Sequence, residues 1–523
     1  MGQLSMAFKG TLKPYQPEAV ERMVGREKML VAYEMGLGKT CMTIAAIEEL
    51  DCENVLVIAL SSLKYQWKKE IEKFSDSSAG VVDGNKETRI IQYRNSWHNH
   101  KYTITNYESI VNDWDEIQEY EWDAVICDEA TAIKGFRSKR SKKVKDLARK
   151  VPIRFALTGT PIENGRPEEL YSIMQFVDPN VLGRFDLFDQ TFIVRNHFGG
   201  VQRYRNLPIF HEKMKQASVR KTQNDPDVAP YLPETIHLDP EWIDLGKAKN
   251  LYQYISLDLQ QLLSEAQELF GKSFSLEAHY GQGYAVGSPA DEMRGQIMSR
   301  ITALRMLCDH PQLLEESANK FAQQDGEGSE YAFRLKDEGR LENFKSNKLE
   351  AVVQYVEDHL DIDETHKVVI FTTYLGMLPI IQEALAKKKI LSTLYSGLLN
   401  AKQKEDSKVL FQTSKEIRVL ISSDAGGYGV DLPQANLLIN YDLPWSAGTA
   451  TQRNSRIRRA SSTWKSVVIQ DFLIANSIEE RQYQMLQQKN AVADAVIDGQ
   501  GINTKGGVDL TVGSLLKFLQ GGK

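Results

Sequence analysis

Two α/β lobes in tandem, each built on a parallel β-sheet and joined through a helical insertion, are the fold this sequence predicts. Three observations predict it. Short β-branched runs alternate with helical patterns in two separate series. The chain, at 523 residues, is longer than one hydrophobic core usually organises. The first apolar run ends in a glycine-lysine loop that opens an amphipathic segment, the strand, loop, helix order of an α/β unit.

The first series of runs falls at 29–32, 55–60, 102–105, 124–127 and 154–157. These short runs, with helical segments between them, give the alternating strand-helix order of a buried parallel sheet. From 183 to 345 the pattern turns to helices and irregular polar stretches. Within it, the glycine-bearing 280–287 reads as a mobile loop and the acid-rich 325–342 as solvated surface. The second series falls at 368–371, 391–395, 418–421, 436–439 and 466–472. Beyond 498 the chain is interrupted by glycines before an apolar helix candidate at 515–519, which either docks back or frays.

A composition of 42% hydrophobic and 26% charged residues is that of an ordinary soluble globular protein. The net charge of −6 argues against a uniformly basic nucleic-acid coat but leaves room for a local basic groove. Cys41, Cys52, Cys127 and Cys308 have neither paired metal-ligand spacing nor scaffold density, so reduced thiols are expected and zinc is not. No apolar run is long enough to span a bilayer, no signal-peptide order opens the chain, and Met6 stands where myristoylation would want a hydroxyl. A soluble, cytoplasmic chain without a membrane partner is the expectation.

The loop is Met35-Gly36-Leu37-Gly38-Lys39-Thr40. Its glycines let backbone N–H groups close on a phosphate chain, Lys39 supplies a point charge for the outer phosphates, and the Thr40 hydroxyl suits Mg²⁺. A nucleoside triphosphate is therefore the expected ligand. The run 124–127 ends in Asp128-Glu129, which places two carboxylates at the carboxyl edge of a parallel sheet. One can hold Mg²⁺ while the other orients an attacking water. Leu157-Thr158-Gly159-Thr160-Pro161 is a strand running into a hydroxyl-rich turn. Later, a glycine-rich turn spans 424–431, and Gln452-Arg453-Asn454-Ser455-Arg456-Ile457-Arg458-Arg459 lies on a predicted helix. There Arg456 and Arg459, three apart, would share a face and suit one phosphate. Lys134, Arg137, Lys139, Arg140, Lys142, Lys143, Lys145, Arg149 and Lys150 crowd one segment with a single acid, Asp146, the footprint of a polyphosphate partner.

The order and spacing of these segments resemble the superfamily-two helicase core of two RecA-like lobes, and more closely its Swi/Snf-type branch of ATP-driven DNA translocases, from about Leu12 to about Glu480. The resemblance implies an ATP-binding lobe at 1–182, a helical insertion at 183–345, a C-terminal helicase lobe at 346–490 and a tail at 491–523. It implies nucleotide contacts from Gln16, Met35, Gly36, Leu37, Gly38, Lys39, Thr40, Gly429 and Asp431, with Gln16 reading adenine. Catalysis would fall to Lys39, Thr40, Asp128, Glu129, Gln452, Arg456 and Arg459, with Thr40 and Asp128 on Mg²⁺. Ser62, Lys64, Thr105, Asn106, Lys134, Lys139, Thr372, Thr373 and Ser422 would grip the nucleic-acid backbone. Five positions depart from the family: Tyr33 replaces Asp, Thr131 replaces His, Asp431 replaces Asn, and Ser461-Ser462 replace Gly-Gln.

The resemblance thus leads to the expectation of a monomeric motor that hydrolyses ATP between its lobes to move along double-stranded DNA and remodel DNA or protein–DNA complexes. Two alternatives stay open at this point: a strand-separating or branch-migrating helicase on forked DNA or RNA, and a nucleotide-switched DNA clamp with little turnover. The sequence identifies no protein partner.

Overall fold

A computed structural model describes residues 7–195, 201–272, 274–276, 287–323, 328–341, 345–424, 430–499 and 511–520. The chain forms two compact units. The first comprises Met1–Val194, Arg203–Leu232 and Lys489–Gly506; the second comprises Arg195–Gln202, Pro233–Gln488 and Gly507–Lys523.

The first unit holds the strands β1 (Lys28–Tyr33), β2 (Val55–Ala59), β3 (Ala79–Val81), β4 (Tyr102–Asn106), β5 (Ala124–Asp128) and β6 (Ile153–Leu157). Two short strands, β7 (Ile193–Arg195) and β8 (Val201–Tyr204), come next in the chain, and then β9 (Ser218–Lys221). The sheet order is β3-β4-β2-β5-β6-β1-β9, parallel at every pairing. β2, β5 and β6 are buried at every residue, as fully covered strands must be. The helix Lys39–Glu49 lies in one continuous core with β1, β2, β5 and β6, through Met42, Ile44, Ala45 and Ile47.

The second unit holds β10 (Glu234–His237), β11 (Glu241–Ile243), β12 (Val368–Thr372), β13 (Ser392–Tyr395), β14 (Val419–Ser423), β15 (Leu437–Asn440) and β16 (Ser466–Ile474). The order is β10-β16-β15-β12-β14-β13, with β11 also on β16, again all parallel. Two hydrophobic clusters cover its faces, one through Val368, Ile370 and Ile421 and the other through Val369, Phe371 and Leu420. The alternation along β12 sends successive residues to opposite faces. A third cluster gathers the helices Lys249–Phe270, Pro289–Asp309 and Val512–Leu519. The apolar helix expected near 515–519 therefore docks, through Val512, Leu515 and Leu516.

The stretch 183–345 is not wholly helical and irregular. It contributes β9 to the first sheet and β10 and β11 to the second. All three lie at or beside a sheet edge, so they carry mixed polar sequence with little burial and none of the continuous apolar run that marks a central strand. The tail is likewise divided, with 489–506 in the first unit and 507–523 in the second. The glycine-bearing segment 280–287 falls outside the described residues except for its last position, and the acid-rich 325–342 falls partly outside them. The described part of the latter includes the helix Glu330–Asp337, whose Tyr331, Ala332 and Leu335 are buried in the helical cluster.

Candidate nucleotide and nucleic-acid sites

Sheet order brings the first half-site together. β5, β6 and β1 are neighbours, and Leu157 at the end of β6 pairs with Asp128 on one side and Val31 on the other. The loops leaving these three strands therefore emerge side by side at the carboxyl edge, where ligands of parallel sheets bind. They are the glycine-lysine loop, the carboxylate pair and the hydroxyl-rich turn.

Gly36 and Gly38 adopt φ of 78° and 81°, which is left-handed backbone. A Cβ at Gly38 would come within 2.3 Å of Gln16 Nε2, and one at Gly159 within 2.9 Å of Met35 Cγ and 3.5 Å of Lys39 Nζ. Glycine at 159 lets the turn approach Met35 and Lys39 of the loop, and glycine at 38 leaves room for the Gln16 amide. Lys39 Nζ donates to the carbonyls of Tyr33 and Glu34 at 2.9 and 3.3 Å, and Thr43 Oγ1 donates to Lys39 O at 2.8 Å. Thr40 sits in the first turn of the helix Lys39–Glu49 and is half-buried. The Gln16 amide is occupied on both sides, accepting from Lys13 N at 2.8 Å and donating to Leu37 O at 2.9 Å. That places it against the loop backbone. Tyr33, where the family has Asp, is buried with its hydroxyl donating to Tyr15 O at 3.0 Å, so it ties the strand to the Gln16 segment.

Asp128 is buried, and its carboxylate accepts from Trp67 Nε1 at 2.8 Å and from the Glu129 N–H at 3.0 Å. Burial holds its carboxyl above the ordinary range, although the Trp67 hydrogen bond, the Lys39 charge and the Glu129 N–H oppose that shift. Tyr107 donates to the Asp128 carbonyl at 2.7 Å. Glu129 comes next in left-handed backbone, φ 47° and ψ 56°, which is uncommon for a residue with a side chain and concentrates at functional sites. A hydroxyl on the first helical turn and a buried carboxylate on the adjacent strand edge are oxygen donors of the kind Mg²⁺ takes, and a divalent cation would favour the ionised carboxylate that burial disfavours. The residues present fit the metal. Trp67 and Tyr107 were not singled out from the sequence as partners of Asp128.

The second unit presents a separate buried network at the carboxyl ends of β12, β14 and β15, which are neighbours in its sheet. Asp442 accepts from Thr372 Oγ1 at 2.6 Å and from the Thr373 N–H at 2.8 Å. Arg453, 2% exposed, donates to Asp424 Oδ2 at 2.9 Å, to Asp442 O at 2.6 Å and to Thr373 Oγ1 at 3.1 Å. Against burial, Asp424 and Asp442 hold that guanidinium charged. Sequence reasoning passed over Arg453 and Asp442. Arg459, 4% exposed, donates through Nε to Asp431 Oδ1 at 2.6 Å, while its buried Nη1 has no hydrogen-bond partner among the described residues. Against the burial that would raise it, Arg459 and Arg456 hold the Asp431 carboxyl below its usual range. Arg456 Nη1 lies 3.5 Å from Val430 O, and Gln452 is buried on the helix Ala447–Asn454. Gly429 lies outside the described residues.

Arg456 and Arg459 do not share a helix face. The helix ends at Asn454, and both arginines come after its cap Ser455, outside the helix. They converge because Leu432 N donates to Arg456 O at 3.0 Å, which holds the turn beside Asp431.

Several expected backbone-gripping groups are turned inward. Lys64 is 1% exposed, donating to Val82 O at 2.8 Å and paired with Asp83 at 3.0 Å. Thr105, Thr372 and Ser422 are fully buried. Thr105 shares a hydrogen bond with Tyr93 OH at 2.6 Å, and Ser422 Oγ donates to Ser423 O at 3.1 Å. These hydroxyls close the strand ends, so they are not surface contacts. Thr373 is taken up by Asp442 and Arg453, Asn106 caps the helix Tyr107–Asn112 by accepting from Ser109 N at 2.8 Å, and Lys134 is ion-paired with Glu163. Ser62 and Lys139 are exposed. The basic segment divides in the same way: Lys145 is buried, Arg140 pairs with Glu108 and Arg149 with Asp146, while Lys142 and Lys150 are exposed.

Among the described residues no helix is long and apolar enough to cross a membrane, no group of three or more His, Cys, Asp or Glu is placed to hold a metal ion, and the four cysteines are buried thiols.

The family model of the SNF2-related domain matches residues 15–313, and that of the helicase conserved C-terminal domain matches 347–461. The chain is 25% identical to the putative ATP-dependent helicase/translocase YwqA of Bacillus subtilis over 95% of its own length and 50% of that protein. It is 25% identical to the human DNA repair and recombination protein RAD54B over 93% of its length and 55% of that protein. It thus spans about half the length of these curated relatives. Among solved structures, the Sulfolobus solfataricus SWI2/SNF2 ATPase core in complex with dsDNA is 25% identical, with 94% of each chain covered and a TM-score of 0.41.

Proposed function

Because the chain belongs to the SNF2-related family, we propose that it is an ATP-driven translocase on double-stranded DNA, hydrolysing ATP to move along the duplex backbone and remodel DNA or protein–DNA complexes. The observation that carries this reading is the β5-β6-β1 adjacency, which gathers the glycine-lysine loop, Asp128-Glu129 and the Gly159 turn at one strand edge. Backbone N–H groups of the loop and Lys39 hold the triphosphate, and Thr40 and Asp128 hold Mg²⁺. A bound Mg²⁺ neutralises charge on the outer phosphates. Glu129 takes the proton of the attacking water, and Arg456 and Arg459 act on the charge that develops in phosphoryl transfer. The orphaned Nη1 of Arg459 supports that role, since a buried guanidinium nitrogen without a partner is suited to an anionic oxygen. The DNA repair and recombination role named for RAD54B agrees with a DNA partner.

The test is ATP turnover with and without duplex DNA. Duplex is expected to raise it, and Glu129→Gln to lower it by roughly 10² to 10⁴ while leaving ATP binding intact. Unchanged turnover with duplex, or normal hydrolysis by Glu129→Gln, counts against the assignment.

One observation favours a second reading, a nucleotide-switched clamp with little turnover. Arg459 is engaged by Asp431 at 2.6 Å, at a position where the family carries a neutral Asn. In that reading the ion pair withholds the guanidinium, nucleotide controls DNA binding, and phosphate release stays negligible. Rapid duplex-stimulated release eliminates it.

A further inference from the structure

The first unit includes Lys489–Gly506, and the described part of that segment reaches the root of the phosphate loop. The link is Arg220 on β9, whose side chain is 19% exposed. Its Nη1 donates to Ala32 O at 2.9 Å, at the end of β1, and lies 3.5 Å from Gly159 O in the turn after β6. Nη2 donates to Glu34 Oε1 at 3.1 Å, and Nε donates to Asp498 Oδ1 at 3.0 Å, with Nη2 also 3.4 Å from Asp498 Oδ2. Glu34 is fixed from its other oxygen by the Gln223 N–H at 2.8 Å, and Gln223 Nε2 donates to Met35 O at 2.7 Å. The two residues that precede Gly36 are thus held by side chain and backbone of 220 and 223, and Arg220 is held in turn by Asp498.

The segment is seated, not draped. His211 Nδ1 is 3.2 Å from Val496 O, a Cβ on Gly165 would approach Lys489 Cα to 3.0 Å, and one on Gly499 would approach His211 Nε2 to 2.8 Å. A guanidinium is a planar fork, and a bidentate carboxylate fixes its plane. Without Asp498, Arg220 keeps Glu34 and Ala32 as partners but loses the group that sets its orientation toward them. Metal sites show the same dependence, since their outer partners set the aim of the groups that touch the metal.

We propose that Asp498 is a positioning residue for nucleotide binding: by fixing Arg220, it holds Glu34 and Met35 so that the N–H groups of the adjoining glycine loop face the triphosphate. The proposal rests on the reading that this loop binds ATP. It makes the segment around Asp498 a determinant of ATP affinity and leaves the chemical step to other residues.

The experiment compares ATP dissociation constants, in the full chain without DNA, for the wild type, Lys39→Ala, Asp498→Asn and Asp498→Glu, together with KM and kcat under duplex stimulation. Asp498→Asn is expected to weaken ATP binding and raise KM by roughly tenfold, on the scale of the low end of what outer partners contribute at metal sites, with kcat within about twofold of wild type. Asp498→Glu restores most of the affinity. Should Asp498→Asn fail to fold, Arg220→Lys, which keeps the charge and loses the fork, carries the same expectation. Wild-type affinity in Asp498→Asn, or a fall in thermal stability with KM unmoved, overturns the proposal. A wild-type protein that binds no ATP would instead overturn the assignment of the loop itself, an outcome distinct from the first.

Discussion

Asp431 and Arg459 show how one substitution can change what a neighbouring group is free to do. The pair is close at 2.6 Å, and the arginine is buried while the acid is half-exposed. Replacing Asp431 by Asn keeps the shape and removes the charge. A charge-assisted hydrogen bond is about twice as strong as a neutral one, so roughly 1 kcal/mol of restraint on Arg459 is lifted. Duplex-stimulated turnover of Asp431→Asn is therefore expected to rise about fivefold, whereas Arg459→Ala should lose about 10³ or more with ATP binding intact. Steady-state kinetics decide it, and an unchanged Asp431→Asn would mean the pair does not restrain the arginine. Lys39 and Asp128 stand where the sequence placed them, beside a glycine loop and at a strand end, whereas the helix expected to carry Arg459 stops at Asn454. Thr105, Thr372 and Ser422 were not legible in the sequence: each stands near a strand end with an apolar residue before it and a polar one after it, and along a strand one residue of register decides whether a hydroxyl meets solvent or the interior.

The helix Lys139–Ala148 illustrates the same limit at the scale of an element. Nine basic residues in the segment 134–150 suggested one electrostatic face. The helix instead buries Ser141, Val144, Lys145, Leu147 and Ala148, a stripe at helical spacing that happens to include a lysine. Lys145 Nζ donates to Ser172 Oγ at 2.7 Å and lies 4.6 Å from the centre of the Phe136 ring. Burial, with a smaller contribution from Arg149, pushes it down to about 7. Its folded value is thus below the unfolded one, and the unfolded chain binds the extra proton between about pH 7 and the ordinary lysine range near 10.5. Stability should rise with pH through that window, by at most roughly 1.4 kcal/mol per pH unit from this group. Denaturant titrations at several pH values should show that slope in the wild type and its loss in Lys145→Met; a slope unchanged by the substitution would place its origin elsewhere. The central strands of both sheets were legible because coverage on two faces demands continuous apolar runs. The edge strands β3, β9, β10 and β11 lack that demand, which is why the register of the sheets had to come from structure.

For the chain as a whole, the partition into two units carries a thermodynamic consequence. The glycine-lysine loop, proposed above to hold the triphosphate, lies in the first unit. In the second, Lys348 is fully buried, with Nζ 2.9 Å from Asp309 Oδ1 and 2.7 Å from Glu479 Oε1. Burial works against its charge, and the two carboxylates hold it charged nonetheless. Asp309 O also accepts from Tyr441 OH at 2.9 Å, and Glu479 accepts from the Ile474 N–H at 2.8 Å, so the triad joins the helix Pro289–Asp309 to the β15 and β16 ends. Removing one member leaves buried charge uncompensated, at a cost of about 3 to 5 kcal/mol. Lys348→Met should therefore lower the unfolding transition of the second unit by that amount. ATP at 100 times its dissociation constant should raise the transition of the first by about 2.7 kcal/mol, because it binds only the folded loop. Calorimetry with ATP and the variant crossed assigns the transitions: if Lys348→Met and ATP shift one and the same transition, the two units unfold as a single cooperative body, and the division of labour between an ATP-gripping half and an arginine-bearing half would have to operate without independent stability.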